Sequence, residues 1–137
     1  MYHSLTRFAP QVLSVLRIIA GLLILQFGMA KLFGFPYVKL FEGIQLFSLY
    51  GLAGTIELVG GVLLVIGLFT RPAAFILSGE MAAAYFMDHL PKGFIPLLNG
   101  GNEAVIYCFV FFYIFFAGPG PWSADAVRDS PLTHEMT

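Results

Sequence analysis

One cysteine, Cys108, stands among the 137 residues, which excludes an intramolecular disulfide, a C-x-x-C dithiol and a Cys/His metal cluster. Charge is scarce too. Seven Lys and Arg against eight Asp and Glu leave only 11% of the chain charged, less than half of the roughly 25% found in a soluble domain. No block of Lys or Arg occurs, so nucleic acid is not indicated as a partner, and neither is a polybasic lipid-binding patch. A polar linker long enough to separate two domains is also missing, and 1–137 is expected to form a single membrane domain.

Apolar residues make up 58% of the chain. Four apolar stretches, 11–32, 51–69, 73–88 and 103–117, read as the helices of an all-α membrane protein, a four-transmembrane-helix bundle followed by a polar C-terminal tail, 119–137. The first two approach the ~20 residues that cross a bilayer core, while the last two need their flanks to complete the crossing. All eight prolines lie at the edges of these stretches or outside them, as expected of a residue that breaks helix interiors. Residues 70–72 read as a tight turn that makes helices two and three a hairpin. The run "IIAGLLILQFGMA" after Arg17 resembles a secretory signal cleaved after Ala30, but three further apolar stretches follow it in place of a secreted domain. Arg7, Arg71 and Arg128 fall on one side, and Lys39 and Lys92, with Lys31 nearby, on the other. This count slightly favours both termini in the cytoplasm.

The charges inside the helices follow a pattern. Arg17, Gly21, Ile24, Gly28 and Lys31 fall within about 80° of one another at ~100° per residue. In the second helix Gly54, Glu57 and Gly61 share one side, with Gly60 close by. Glycine permits close helix approach, and a charge in hydrocarbon costs at least ~2.5 kcal/mol, so both faces should look into a bundle. Depth counted at ~1.5 Å per residue puts Arg17 and Glu80 each about 10 Å from the inner edge. They are expected to form an ion pair that fixes helix register, or else a proton or anion head-group site. Gln26, Lys31, Glu57, Asp88, His89 and Glu103 fall in the outer half as a second polar cluster, and titratable groups converging near an opening are the usual form of a membrane site.

Other residues read more plainly. His89 is a helix-end or loop histidine before it is a ligand, and with His3 and His134 in the terminal segments a paired-histidine haem is not expected. Asn102 and Glu103 look like a helix start. The run "YCFVFFYIFFAG" suits a lipid-facing surface or, less simply, a quinone-stacking wall. Tyr50 and Trp122 are placed as interface anchors. No metal site is indicated.

Taken in order, "LRIIAGLLILQFGMAKL", "GTIELVGGVLLVIGLFTRPAA", "EMAAAYFMDHL", "NGGNEAVIY" and "GPGPWSAD" resemble the DoxX family of small integral membrane proteins, from about Leu16 to Asp125. The resemblance implies four membrane helices with both termini cytoplasmic, in a bacterial inner membrane. It also implies a loose association with respiratory redox chemistry, since related proteins include a membrane subunit of thiosulfate:quinone oxidoreductase and components of oxidant-defence complexes. The family's recurrent charged positions match Arg17, Lys31, Glu57 and Glu103. With its short tail and no further domain, the chain would depend on a partner or a lipid-soluble quinone for any electron-carrying centre.

Three functions compete. In the first, the chain is a membrane subunit supporting quinone-linked redox or oxidant-defence chemistry, with Lys31, Glu57, Glu103 and His89 holding a quinone head group or passing its protons. In the second it is a non-enzymatic scaffold or assembly partner whose charged pairs are structural. A small-solute transporter is the third, and four helices leave little room for a pore without oligomerisation. The expected partners are membrane lipids, redox proteins and a second copy of the chain.

Overall fold

A computed structural model describes residues 2–129 and is helical throughout, with no strand among the described residues. After a short α1 (Tyr2–Thr6) come α2 (Ala9–Phe33), a 3-10 turn (Lys39–Phe41), α3 (Leu49–Ile66) and α4 (Thr70–Ala84). The path of α4 continues through a π turn (Tyr85–His89) and a 3-10 turn (Leu90–Lys92). Then follow α5 (Pro96–Asn99), α6 (Asn102–Ala117) and α7 (Ala124–Arg128). Of the four main helices, α2 and α3 are each long and apolar enough to cross a membrane, whereas α4 and α6 are shorter.

Local chemistry sets the boundaries. Pro10 lies in the first turn of α2, where a missing N–H leaves no bond unmade, and Gly34 closes the helix in the left-handed conformation at φ 69°. Ser48 caps α3 by accepting from the Gly51 amide at 3.1 Å, and Gly67 at φ 72° ends it. The expected boundaries shift here. Helix two stops at Ile66 and not at residue 69, the turn is 67–69 and not 70–72, and α4 starts at Thr70 and not at 73, because Pro72 fits its first turn.

The glycine faces bring α2 and α3 together. A Cβ on Gly28 would lie 2.8 Å from Leu58 Cα and 2.9 Å from the Gly54 carbonyl, and one on Gly61 would lie 2.9 Å from Leu25 Cα. Backbone thus meets backbone over two turns. A second close pair is α4 with α6, where Ala73, Ala74, Leu77 and Met81 face Phe111 and Ile114, and the Ser78 hydroxyl donates to the Cys108 carbonyl at 2.8 Å. Although a short turn joins them, α3 and α4 pack less closely with each other. Near the turn they meet at Gly60, where a Cβ would sit 2.9 Å from Leu77. Farther out they part.

The polar tail is, in its described portion, a strap across the end of the bundle that holds the α3–α4 turn. Arg17 is wholly buried and donates through Nε to the Leu64 carbonyl at 2.8 Å, through one terminal nitrogen to the Pro119 carbonyl, and through the other to the Trp122 carbonyl at 2.7 Å. Ser14 accepts from the Trp122 amide at 3.1 Å. The Asp125 carboxylate caps α4, accepting from the Phe69 and Thr70 amides at 3.0 and 2.9 Å. Burial alone would raise the Asp125 carboxyl, but the hydrogen bonds from Thr70 and Phe69, with Arg128 at 3.4 Å, hold it below the ordinary carboxylate value. Residues 130–137 of the expected tail, His134 among them, lie outside the described residues, as does the side chain of His3.

The expected pairing of Arg17 with Glu80 is therefore corrected. The guanidinium is used by backbone carbonyls of α3 and the strap, and Glu80 belongs to the other end of the bundle. With α4 beginning at Thr70, Glu80 lies three residues farther from the strap than a start at 73 implies.

Candidate functional site

Beyond the Gly60–Leu77 contact the four helices enclose a chamber of about 540 Å3, bounded by α2, α3, α4, its π turn and α6, with Leu40 and Phe41 of the 34–48 connection as a cover. Lys31 and Glu57 meet in its wall. The ammonium donates to both carboxylate oxygens, at 2.6 and 3.0 Å, with the side chains 11% and 1% exposed. The glycines place this pair: Gly28 and Gly54, one turn before each residue, set the axes close enough for a lysine to reach across. Phe41 stacks over the same ammonium, 5.2 Å from nitrogen to ring centroid.

Glu80 completes the cluster from α4. It stands next to Glu57, with Lys31 as the cation acting on it. Its Oε2 is buried and has no donor. Two carboxyls thus share a single ammonium, an arrangement with one more acidic group than its cation neutralises. A signal for this was present in the sequence, because Glu57 and Glu80 lie eleven and twelve residues from the centre of the 67–69 turn and an antiparallel hairpin brings such residues nearly level.

The π turn, a feature frequent at functional sites, brings Asp88 and His89 to the chamber wall. His89 Nδ1 is 3.1 Å from the Asn99 carbonyl. A carbonyl only accepts, so Nδ1 carries the hydrogen of this bond. Asn99 is itself buried and pins the outer connection through the Gly93 carbonyl at 2.8 Å and the Gly101 amide at 2.8 Å. Glu103 and Tyr107 of α6 face the chamber from the other side. Tyr50, expected only as an interface anchor, also lines it, and its hydroxyl donates to Asp88 at 3.2 Å.

Lys31, Glu57, His89, Asp88 and Glu103 are thus brought to one chamber. Gln26 is not. It is exposed on the outer surface of α2, away from the chamber wall. Glu80, Tyr50 and Tyr107 join the cluster without having been singled out for it. Sequence comparison matches residues 12–90 to the DoxX family. The chain belongs to the DoxX family. The match covers Arg17, Lys31, Glu57, Glu80 and His89 of this DoxX protein and ends before Glu103 and the strap. A protein of Haemophilus influenzae, described as uncharacterized, is 41% identical over 128 residues, spanning 90% of this chain and 95% of its own length. No solved structure matches the chain. Family and apolar helices together make the DoxX chain an integral membrane protein.

Proposed function

We propose that this protein crosses a bacterial inner membrane four times, with both termini cytoplasmic, and supports quinone-linked redox or oxidant-defence chemistry by holding a quinone head group in the outer chamber. Supporting four crossings, the helical path 70–92 rises roughly 34 Å at ~1.5 Å per residue, enough for the hydrocarbon core. At the strap end Arg7, Arg71 and Arg128 gather, which suits a cytoplasmic face. Residues 102–117 are shorter, and their capping segments would complete the last crossing in the head-group layers.

The observation that carries the head-group reading is the buried Lys31–Glu57 pair in the wall of a chamber large enough for a ring, with Glu80, whose buried Oε2 has no partner, beside the pair on the side of a smaller adjoining cavity. The donor set suits a quinone. Lys31 can donate to a carbonyl oxygen, a carboxyl oxygen of Glu57 can exchange a proton with a hydroxyl, and Tyr107 and Phe27 offer flat apolar walls. A quinone supplies two-electron, two-proton chemistry when bound. Lys31 fixes the position of the Glu57 carboxylate, and Glu80 beside it offers a second carboxyl for proton exchange. Electrons must come from, or go to, a redox-protein partner. The transporter reading has less support, since buried Leu64, Leu77, Phe111 and Ile114 pack the bundle between the chamber and Arg17.

Titration of the purified chain with a tail-less dimethoxy-methyl-benzoquinone tests the reading. Lys31→Met should weaken binding by about tenfold or more, the worth of one charged hydrogen bond of ~1.5–3 kcal/mol. Equal affinity in a folded Lys31→Met, or no binding by the wild type, would overturn it and leave a scaffold whose charges are structural.

A further inference from the structure

A smaller cavity of about 240 Å3 adjoins the chamber on the opposite side of the line between α3 and α4. The two share Lys31, Tyr50, Ala84, Met87 and Asp88. Its frame is set by two contacts already described. At the inner end Gly60 and Leu77 touch, and at the outer end the Tyr50 hydroxyl bridges to Asp88. Between them the helices stay apart over residues 50–60 of α3, a slit roughly 15 Å tall at ~1.5 Å per residue. Its edges are Leu52, Ile76 and Met87, all more than half exposed on the outer surface of the bundle. Ala53 and Ala83 widen it from either side, and Lys31 and Glu80 stand at its inner end.

A slit that begins at the lipid-facing surface, is walled by aliphatic side chains and ends on the polar cluster is shaped for a molecule with one hydrocarbon chain and one hydrogen-bonding head. We propose that the slit between α3 and α4 is a lateral portal, and that its occupant is the isoprenoid tail of the quinone whose head group sits at Lys31, Glu57 and Glu80. This rests on the head-group reading above and adds a direction of entry, from the bilayer and not from the outer water. The window also explains why α3 and α4, neighbours in sequence, are the less closely packed pair. Because the tail moves from lipid into another apolar setting, it adds little affinity; the portal acts by giving the tail somewhere to lie while the head is seated.

Blocking the window should therefore discriminate between ligands by their tails. Ala83→Trp fills it from α4, and Ala53→Phe from α3, and neither residue lines the larger chamber. Binding of a tail-less dimethoxy-methyl-benzoquinone and of the same ring carrying a decyl chain is measured on the full chain in lipid nanodiscs. Each variant should bind the tail-less ring within about twofold of wild type and the decyl compound at least about tenfold more weakly, since steric exclusion works against one ligand only. Unchanged decyl binding in both variants, with tail-less binding retained, overturns the portal and leaves the head-group site standing. No binding of either ring by the wild type removes both. A variant that loses the tail-less ring as well is misfolded or blocked at the head, and the other variant then decides.

Discussion

Removing the Lys31 ammonium is the perturbation whose cost the structure defines best. In Lys31→Met an aliphatic chain of similar length remains, but Glu57, 1% exposed and bonded through both oxygens, loses its cation while Glu80 stays beside it. An exposed pair would be worth at most about 1 kcal/mol. Breaking a buried pair from one side costs about 3–5 kcal/mol, because the remaining charge has neither water nor partner. At about 2–4 °C per kcal/mol for a chain near this length, the melting temperature should fall by about 10 °C. The second half of the cycle is the sharper test. Lys31→Met with Glu57→Gln removes both charges, so the double variant should recover most of the loss and show a coupling of about 2–4 kcal/mol. Thermal unfolding in one detergent, followed by circular dichroism, reads all four proteins. Additive single effects, or a Lys31→Met loss no larger than about 1 kcal/mol, would refute the buried pair.

Two further outcomes follow from the packing and the strap. Gly28→Ala places a methyl against Leu58 Cα at 2.8 Å and the Gly54 carbonyl at 2.9 Å, where only backbone could yield; overpacking of this kind costs about 1–3 kcal/mol, and the Lys31–Glu57 bond one turn away should lengthen, so melting temperature and quinone binding should fall together. Asp125→Ala removes the cap of α4, at about 1–2 kcal/mol. Because the folded Asp125 carboxyl lies below its ordinary value of 3.8, its stabilisation is complete above that pH and is lost as pH falls through the lower folded value. The gap in melting temperature between wild type and Asp125→Ala should be full at neutral pH and close in stronger acid, with Arg128 and Arg17 as the cations facing the group. A gap that does not change with pH would contradict the capping role.

Much of this arrangement was legible in residue spacing. The glycine and charge periodicities of residues 17–31 and 54–61 identify the α2–α3 contact, because close approach in a membrane needs small residues and a buried charge needs a partner. The partners of Arg17 were not legible. Backbone carbonyls carry no sequence signature, and Pro119 and Trp122 lie in what reads as a plain polar tail. Glu80 was misplaced for a different reason: with the helix start set at Ala73 and not at Thr70, an error of three residues moved it about 4.5 Å in depth toward the Arg17 end. The π turn at Tyr85–His89 contains neither Gly nor Pro, so nothing in "YFMDH" announces that the helix widens there and turns Asp88 and His89 toward the chamber. Gln26 had the right depth but the wrong azimuth, two residues past Ile24 on α2 and hence facing out.

The central claim is that the chamber at Lys31 and Glu57 holds a quinone. Its most direct test is extraction of the wild type and Glu57→Gln from their native membrane, followed by mass spectrometry of the lipids and quinones that stay bound. The account predicts a stoichiometric quinone in the wild type that is absent from a folded Glu57→Gln. A wild type without quinone, or the same quinone content in both proteins, would contradict it.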